Sequence, residues 1–452
     1  MIRAFEHIRQ IFFLGIGGIG ISALARYFMS KGIAVSGYDK TPSELTGQLI
    51  SEGATIHFTD DPTLIPAGIG MAVYTPAIPK ELAEFIHLQN SGILMMKRSK
   101  VTGLITQNKT TVAIAGTHGK TSISSLIAHI LKSAGFPVTA LIGGISRNYG
   151  SNFITSGKEE IMVVEADEYD RSFLELEPDL AVISAMDPDH LDIYGSPEQM
   201  IRSFNDFAAK IKPSGKLILR AGLDISPVPG IEQIHYSVGE PCNITALNLR
   251  IDNGNQVFDI MSYGNRQKDI LLSIPGRHNV ENAAAAWAVC LSLGLSEEGI
   301  RKGICTFSGV KRRFDFRIRQ EDLVYIDDYA HHPRELEAFI KAVREIYPGR
   351  KLTGLFQPHL FSRTRDFADG FAESLDLLDE AWLLDIYPAR ELPIPDVTSA
   401  LIFEKMKNPC KKLLTREEVI QKIIDKRPEI FLSMGAGDID QMVGPIERIL
   451  KT

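Results

Sequence analysis

The chain has 452 residues, of which 44% are hydrophobic and 23% are charged, and it carries a formal net charge of −7. These values are typical of a globular chain of roughly three domains. The acidic balance argues against nucleic acid as a partner, so an anionic substrate must be met by local positive groups.

The cysteine spacing and the N-terminus both indicate a cytoplasmic protein. The four cysteines are far apart and lack C-x-x-C spacing, which argues against a zinc site and against a disulfide framework. The apolar run Ile11–Leu14 is too short to span a membrane, and the layout of a signal peptide is missing. We therefore expect no membrane partner, whereas the oligomeric state, monomer or dimer, is left open.

The first segment predicts a strand, a glycine loop and a helix. The run Ile11–Leu14 precedes GIGGIG at 15–20, and a second strand at 34–37 ends just before Asp39. This is the dinucleotide-binding fingerprint, in which the acid contacts a ribose. It is compatible with a nicotinamide dehydrogenase, but a UDP-sugar presents the same diphosphate and ribose. Arg98, near the end of this segment, is either a phosphate contact or part of a solvated basic turn.

The second segment opens with a shortened phosphate-binding loop. The strand Thr110–Ala115 runs into GTHGKT at 116–121, and a helix is predicted over 121–134. Free amide groups and the positive end of the helix converge on this turn, so it still suits a triphosphate. Lys120 can neutralise the β- and γ-phosphates, and the Thr121 hydroxyl is placed to bind Mg²⁺.

Two further predicted strands each end in a polar cluster that could hold a metal ion. The first is followed by EADEYD at 165–170, where Glu165 and Asp167 could face one side of the strand. Glu165 is a suitable Mg²⁺ ligand, whereas Asp170 is interpreted as part of a solvated turn. The second is followed by MDPDHLD, whose His190 is either a metal ligand or a satisfied polar residue.

The end of the second segment combines short strands with an alanine-rich helix. Short alternating runs in 216–274 predict an additional antiparallel piece, and a helix is predicted over 281–293. His278, Asn279 and Asn282 near its start could hydrogen-bond to a base and stack on it. Asn279 is also a good N-cap, and its spacing alone favours the cap.

The third segment alternates strands and helices of the lengths expected for a parallel sheet with right-handed crossovers. Ligands bind beyond the carboxyl ends of such strands. Cations at the ends of the predicted elements could grip a carboxylate or a phosphate in a forked arrangement. These cations are Arg313, His331, His332, Arg363 and Arg365. The strands are predicted over 323–327, 351–356, 381–386 and 429–433, and the helices over 333–346, 364–378, 398–407 and 438–450.

Taken together, these motifs resemble the Mur ligase family of peptidoglycan synthesis. They occur in family order as GIGGIGISA at 15–23, GTHGKTS at 116–122, EADEYD at 165–170, MDPDHLD at 186–192, RHNVENAAAA at 277–286, GVKRRFD at 309–315, DDYAHHP at 327–333 and FQPHLFSRTRD at 356–366. The resemblance implies an α/β fold of three domains. They are a Rossmann-like UDP-sugar-binding domain over 1–107, a central P-loop ATPase-like parallel sheet that binds ATP over 108–309, and a Rossmann-like domain over 310–452 that closes over the site and binds the amino acid.

The resemblance also assigns roles to individual residues. ATP binding falls to Gly116, Thr117, His118, Gly119, Lys120, Thr121, His278, Asn279, Asn282, Arg313 and Asp328. UDP-sugar binding falls to Gly17, Gly18, Ile19, Asp39 and Arg98. Two Mg²⁺ ions are expected at Thr121, Glu165 and His190. Catalysis falls to Lys120, Glu165, His190, Arg313, His331 and Arg363.

The resemblance further implies a reaction between small molecules. ATP would phosphorylate the lactyl carboxylate of UDP-N-acetylmuramate, and the amine of L-alanine would then displace phosphate. The alternatives are a ligase that recycles a tripeptide, an NAD-dependent dehydrogenase that uses the first glycine loop, and an ATPase that acts as a motor or switch.

Two positions depart from patterns known in the family. Leu360 stands where an arginine follows FQPH in bacterial members, which shifts binding of the alanine carboxylate towards Arg363 and Arg365. Ligases that add later residues carry a modified lysine at a position that falls near Asn205 here. A mechanism with a carbamylated lysine is therefore not expected, in agreement with the alanine-adding branch.

Overall fold

The computed structural model describes residues 5–157, 159–187, 194–389 and 391–451. The chain divides into two compact units, of which unit 1 comprises 1–248, 258–270 and 281–308, and unit 2 comprises 249–257, 271–280 and 309–452. The predicted α/β fold class is confirmed, because three sheets built mainly from parallel strands alternate with helices along the chain. Within the described ranges, every helix is too short or too polar to cross a membrane.

The first sheet of unit 1 contains five parallel strands in the order β3-β2-β1-β4-β5. Its central strand, β1, carries only apolar residues after Gln10, because both faces of the sheet are covered. The carboxyl end of β1 therefore delivers the glycine loop to one edge of the sheet. The strands are β1 Gln10–Leu14, β2 Ala34–Tyr38, β3 Thr55–His57, β4 Met71–Tyr74 and β5 Leu94–Lys97.

The second sheet has ten strands in the order β15-β14-β13-β12-β11-β10-β6-β9-β7-β8. The strand β6 lies between β9 and β10, and all three are parallel. The polar clusters that follow these strands therefore meet at one edge. The strands are β6 Thr110–Ala115, β7 Val138–Leu141, β8 Phe153–Thr155, β9 Ile161–Glu165, β10 Leu180–Ile183, β11 Lys216–Arg220, β12 Glu232–Val238, β13 Ile244–Asp252, β14 Asn255–Ser262 and β15 Asn265–Leu272.

Two-residue turns join the last three of these strands, as the predicted antiparallel piece requires. Asn253-Gly254 follows β13 and Tyr263-Gly264 follows β14, and all four residues have positive φ. Positive φ at both central residues is characteristic of the type I′ turn of β-hairpins. Parallel strands need a much longer connection, so these strands run antiparallel.

The sheet of unit 2 has the order β16-β17-β21-β18-β19-β20, and only the pair β16–β17 is antiparallel. The sequence missed β16 and β20. The first carries a bulge between Phe316 and Ile318, and the second is three residues long and begins with two lysines. The sequence DFRIR of β16 does alternate polar and apolar residues and was overlooked, whereas KKL of β20 is too short to show an alternation. The strands are β16 Asp315–Arg319, β17 Val324–Asp328, β18 Leu352–Phe356, β19 Glu380–Leu383, β20 Lys411–Leu413 and β21 Ile430–Met434.

The helices cover the faces of these sheets, and most of them match the predicted spans. The predicted helix 364–378 is instead two helices, because the backbone leaves helical geometry at Phe367 (φ −120°, ψ 18°). The sequence also missed the helix Arg416–Asp425. The helices are Ile19–Ser30, Glu44–Ser51, Ala83–Asn90, Arg98–Thr106, Lys120–Ser133, Pro197–Ala208, Arg277–Ser292, Glu297–Thr306, Pro333–Ile346, Phe361–Asp366, Ala368–Leu375, Ala400–Lys405, Arg416–Asp425 and Asp440–Lys451, with 3₁₀ turns at Pro62–Leu64 and Tyr169–Glu175.

Two helical glycines of unit 1 allow a matched test of this packing. A Cβ added at Gly103 would meet the backbone carbonyl oxygen of Glu175, whereas a Cβ at Gly47 meets nothing within 4 Å. Gly103→Ala is therefore expected to lower the free energy of unfolding by about 1–3 kcal/mol through overpacking. Gly47→Ala is expected to raise it by about 0.5–1 kcal/mol through helix propensity. Urea unfolding followed by circular dichroism measures both, and stabilisation of both variants would contradict the close approach.

Candidate active site

The shortened phosphate loop joins β6 to the helix Lys120–Ser133. Its two glycines have φ values of +131° at Gly116 and +86° at Gly119, which favour glycine. A Cβ at Gly116 would meet Ser184 Oγ, and one at Gly119 would lie 2.8 Å from Asn282 Oδ1. The loop therefore packs too closely for a side chain at either glycine position. It joins the strand to the helix, so the unpaired first amides of the helix point to the end of the loop.

A buried ion pair holds Lys120 inside this loop. Lys120 Nζ donates to the Gly116 carbonyl oxygen at 2.7 Å and lies 2.8 Å from both carboxylate oxygens of Glu168. Burial alone would lower the pKa of Lys120, but the carboxylates of Glu168 and Asp167 outweigh it and raise the pKa above its usual value. Burial raises the pKa of Glu168, and the ammonium opposes that rise.

Glu165 contacts the end of the same loop through the hydroxyl group of Thr121. Its carboxylate accepts from Thr121 Oγ1 and from Ser124 Oγ at 3.2 Å each, and from the backbone amide of Gly143. Thr121 and Glu165, which were predicted to bind the first Mg²⁺ together, are thus in direct contact. Sequence reasoning missed Ser124 and Gly143, which lie outside the motifs, and did not single out Glu168. The four acids of EADEYD were the available signal for Glu168.

The residues around Glu165 fit a magnesium ion. Mg²⁺ prefers hard oxygen ligands, takes only one or two carboxylates from the protein and fills its other positions with water and phosphate oxygens. A carboxylate beside the Thr121 hydroxyl supplies that donor set. Clusters of three or more acidic, histidine or cysteine ligands are missing from the described part of the chain. His190, expected to hold the second ion, lies outside the described residues.

The first glycine loop of the chain, GIGGIG, lies between β1 and the helix Ile19–Ser30. Gly18 is the N-cap of that helix. Asp39, for which a ribose contact is predicted, reaches this loop, since its Oδ2 accepts from the Gly17 amide at 2.8 Å. A Cβ at Gly17 would lie 2.8 Å from the same oxygen. The acid at the end of β2 therefore supports the loop directly.

Arg98 connects this glycine loop to the acidic cluster of the second sheet. A Cβ added at Gly20 would lie 2.9 Å from Arg98 Nη1, and Arg98 Nη2 lies 3.6 Å from Asp167 Oδ2. The neighbouring Lys97 pairs with Asp170 at 3.1 Å, so Asp170 is engaged in an ion pair and not only in a solvated turn. Arg98 thus lies between the helix that follows the first glycine loop and the acidic segment after β9.

Near the start of the alanine-rich helix, the N-cap prediction for Asn279 is wrong. The helix begins at Arg277, and the Gly276 carbonyl oxygen accepts from the amides of Asn279 and Val280. Asn279 Nδ2 donates to the Pro275 carbonyl oxygen at 2.8 Å instead. The reason is that Gly276, at φ +113°, allows the chain to turn into the helix earlier than the pattern indicated.

In unit 2, the half-buried Asp328 lies at the carboxyl end of β17. It accepts from the backbone amides of Phe314 at 2.6 Å and Ala330 at 2.8 Å. Burial raises the pKa of Asp328 to about 7, although both amides and Arg313 oppose the rise. Burial also lowers the pKa of His278 to about 4, so its imidazole is neutral at pH 7.

The adjacent histidines of DDYAHHP have different surroundings. His332 is the N-cap of the helix Pro333–Ile346, and its Nδ1 accepts from the Arg334 amide at 3.3 Å. His331 Nδ1 lies 3.0 Å from the Tyr329 carbonyl oxygen and 3.3 Å from a carboxylate oxygen of Glu335. His332 therefore stabilises the start of the helix, whereas His331 contacts Tyr329 and Glu335.

Arginine and histidine side chains gather around the FQPH segment. The His331 ring lies 6.2 Å from the ring of His359, which stacks on Tyr387. Arg363 is buried in the short helix Phe361–Asp366, whereas Arg365 is exposed and pairs with Asp366. Arg363 is thus the better placed of the two to hold a buried carboxylate.

The predicted loop residues His118 and Thr117 contact the segment after β10. Thr117 Oγ1 accepts from the Asp187 amide at 3.1 Å, and the Thr117 amide donates to the Ala185 carbonyl oxygen at 3.1 Å. His118 Nε2 lies 3.3 Å from Asp187 Oδ2. The loop is therefore fixed on both sides, by the end of β10 and by the acids after β9.

Comparisons with known proteins find matches over most of the chain. Models of three family domains match it, described as Mur ligase family, catalytic domain (residues 10–110), Mur ligase middle domain (114–290) and Mur ligase, glutamate ligase domain (312–437). A UDP-N-acetylmuramate–L-alanine ligase of Flavobacterium johnsoniae is 47% identical, with 98% of each chain covered. One of Parabacteroides distasonis is also 47% identical, with 98% of this chain and 97% of that one covered.

Solved structures give the same result. The crystal structure of a UDP-N-acetylmuramate–alanine ligase from Thermotoga maritima matches with a TM-score of 0.83 and 25% identity over 98% of each chain. A murein peptide ligase from Psychrobacter arcticus matches with a TM-score of 0.72 at 21% identity over 98% of each chain, which shows a shared fold.

The titration of Asp328 predicts a pH-dependent stability. Its pKa is about 7 in the folded chain against an ordinary value of 3.8, so the folded state binds this proton more tightly than the unfolded state. The free energy of unfolding should therefore fall as the pH rises from about 4 to about 7. Asp328→Asn removes the titrating proton, and its urea midpoint should fall less across this range.

The exposed Asp425→Asn variant of the same unit is the control, and it should keep the wild-type pH slope. Urea midpoints at half-unit pH steps measure all three proteins. Identical slopes for wild type and Asp328→Asn would contradict a protonated Asp328.

Proposed function

The chain belongs to the Mur ligase family, and we propose that it joins L-alanine to the lactyl carboxylate of UDP-N-acetylmuramate with cleavage of ATP. The observation that carries this function is the contact of Arg98 with Asp167. It joins the helix that follows the nucleoside-diphosphate-type glycine loop to the acidic segment whose Glu165 and Glu168 contact Thr121 and Lys120 of the triphosphate-type loop. The relatives at 47% identity that carry this name support the choice of substrates.

The reaction has two steps that conserve atoms and charge. The lactyl carboxylate attacks the γ-phosphorus of ATP, so a bond to phosphorus forms while the bond to ADP breaks. The amine of L-alanine then attacks the carbonyl carbon of the acyl phosphate, and inorganic phosphate leaves from the tetrahedral intermediate. The amine loses a proton in this step, and the product is an amide.

The phosphate loop provides most of the electrostatic support for the first step. The amides at the start of the helix Lys120–Ser133 and its dipole face the anionic phosphates. The Lys120 ammonium has three N–H groups, and the Gly116 carbonyl and Glu168 engage it before substrate arrives. When ATP is bound, one N–H group of Lys120 donates to the γ-phosphate and stabilises the phosphoryl group during transfer.

Thr121 and Glu165 hold one magnesium ion in this proposal, and Glu165 with His190 holds a second. Bound Mg²⁺ offsets the negative charge that otherwise keeps the carboxylate and the phosphates apart. The hydrogen bonds from Ser124 and Gly143 fix the orientation of Glu165 before a metal binds. The carboxylate is therefore oriented by the chain itself.

The remaining predicted site residues complete the proposal for the amino acid and the nucleotide. Asp328 contacts the ATP ribose, His278, Asn279 and Asn282 meet the adenine, and Arg313 contacts the γ-phosphate. His331 and Arg363 orient the alanine or the lactyl group. The neutral state of His278 supports contact with an uncharged base. The burial of Arg363 supports a strong charge-assisted hydrogen bond to a carboxylate.

Domain boundaries at 107–108 and 309–310 and a cytoplasmic location are part of the same proposal. The matched family segments, which break at 110–114 and 290–312, support the boundaries. The four cysteines of the described chain are free thiols, which supports a reducing compartment. The oligomeric state, monomer or dimer, stays a prediction.

Phosphate release against a panel of UDP-sugars and amino acids tests the function. Release should require UDP-N-acetylmuramate and L-alanine together, and a peptide substrate should not replace alanine. Release without either substrate would favour a switch ATPase, and use of a tripeptide would favour a recycling ligase. A fluorescence titration with NADH should show no binding, because a dehydrogenase would leave the phosphate loop unused.

Removal of the Lys120 ammonium should stop the reaction. Lys120→Ala alone would leave Glu168 buried without its cation, at a cost of about 3–5 kcal/mol. We therefore combine it with Glu168→Gln and expect the turnover number to fall at least ~100-fold with a retained fold. Single-turnover release of phosphate measures the effect, and circular dichroism checks the fold.

Two variants serve as controls for the double substitution. Glu168→Gln alone keeps the ammonium and should be more active than the double variant. Lys132→Ala removes a cation from the same helix whose Nζ donates to the Thr155 carbonyl oxygen at 2.8 Å, and it should retain turnover. Activity of the double variant within a few-fold of wild type would remove Lys120 from the mechanism.

A further inference from the structure

The loop between β7 and β8 contacts Glu165 near one end and the helix Ile19–Ser30 at the other. Eleven residues, 142–152, join two antiparallel strands whose ends pair at Leu141 and Phe153. Hairpin loops usually have two to five residues, so this connection is unusually long. Near one end, the Gly143 amide donates to Glu165. At the other end lies Asn152, whose side chain is completely buried.

Asn152 contacts the helix that follows the glycine loop at three places. Its Nδ2 donates to the Ile19 carbonyl oxygen at 2.6 Å and to Ser22 Oγ at 2.9 Å, and its Oδ1 accepts from Arg26 Nη1. Residues 19, 22 and 26 lie on one face of a helix. The amide of Asn152 therefore spans two turns of the helix Ile19–Ser30.

Asn152 contacts this helix through its neutral side-chain amide and needs no charged group. Arg26 already has a carboxylate partner in its own domain, since its Nε and Nη2 lie 2.7 and 2.8 Å from the two oxygens of Glu52. The Ile19 carbonyl and Arg26 need a donor and an acceptor on the same side chain. An asparagine supplies both, whereas an aspartate would place an oxygen against the Ile19 carbonyl.

We propose that Asn152 is a positioning residue that sets the glycine loop at a fixed distance from Glu165. The inference rests on the proposed function, in which the glycine loop holds the sugar and Glu165 is part of the phosphate site. The sheet order β9-β7-β8 places the loop beside the strand that carries Glu165. Its two ends thus connect Glu165 to Ile19 through backbone that both strands restrain.

The relative position of the glycine loop and Glu165 affects the rate of phosphoryl transfer to the lactyl carboxylate. The lactyl carboxylate must approach the γ-phosphorus within about 3–3.5 Å, and a displacement of about 1 Å can cost ~100-fold in rate. Each substrate still meets its own loop when the link is broken. Loss of the Asn152 contact should therefore lower the turnover number far more than it weakens either binding equilibrium.

Asn152→Asp tests the proposal, because it keeps the shape and the acceptor for Arg26 but removes the donor to Ile19 and Ser22. The turnover number should fall at least ~10-fold. Dissociation constants for UDP-N-acetylmuramate and ATP, measured separately by calorimetry, should stay within about threefold. Ser22→Ala removes one of the two accepting groups and should show a smaller change with the same pattern.

Asn408→Asp is the control for loss of a buried asparagine. Asn408 Nδ2 donates to the Leu378 carbonyl oxygen at 2.7 Å and its Oδ1 accepts from the Cys410 amide at 2.8 Å, within unit 2. It should lower the melting temperature but retain the turnover number per folded molecule. If Asn152→Asp is unfolded, Ser22→Ala decides.

Three results separate the possible failures. Unchanged turnover in Asn152→Asp, or in Ser22→Ala if the first variant does not fold, would overturn the proposal. Loss of UDP-N-acetylmuramate binding with normal turnover at saturation would also overturn it, because Asn152 would then belong to sugar binding alone. A wild-type protein that does not bind UDP-N-acetylmuramate would instead refute the proposed function.

Discussion

The buried ion pair between Lys120 and Glu168 is the interaction on which the phosphate site depends. A lone ammonium in this position would lose its hydration without compensation, and the chain compensates it with a carboxylate that is 1% exposed. The pair draws Lys120 back over its own loop, 2.7 Å from the Gly116 carbonyl oxygen. The loop is thereby shaped without a ligand, and in the proposed function phosphate oxygens would replace part of the negative charge that Glu168 places around the ammonium.

The order of the parallel strands then decides which groups can reach that ammonium. The strand β6 lies between β9 and β10, so EADEYD and the segment after β10 end beside GTHGKT. Amides, hydroxyls and carboxylates from three separate stretches of chain meet at this edge. In unit 1, Arg98 and Asn152 extend the cluster to the glycine loop of the first sheet. The proposed function therefore assigns the glycine loops of two sheets to one reaction.

In unit 2, neighbours in the sequence divide structural and chemical tasks. Arg312 Nε pairs with the buried Asp327 at 3.1 Å and its Nη2 donates to the Gly435 carbonyl oxygen, whereas Arg313 lies over the ring of Tyr329. His332 caps a helix, and His331 contacts Tyr329 and Glu335. One residue of each pair makes contacts that hold the fold together, and the proposal assigns the other to a substrate.

The sequence by itself determined the α/β class, the two glycine loops and the strand ends that carry Glu165 and Asp328. These features are local, since a strand, a turn with positive φ and a helix are encoded by consecutive residues. Only the tertiary structure decided that Glu168 pairs with Lys120, that Asn279 bonds to Pro275 and does not cap the helix, and that Asn152 reaches Ile19. Asn152 and Ile19 are 133 residues apart, and Lys120 and Glu168 are 48 apart. Contacts over such separations depend on sheet order and on packing between domains, which no local pattern of residue types specifies.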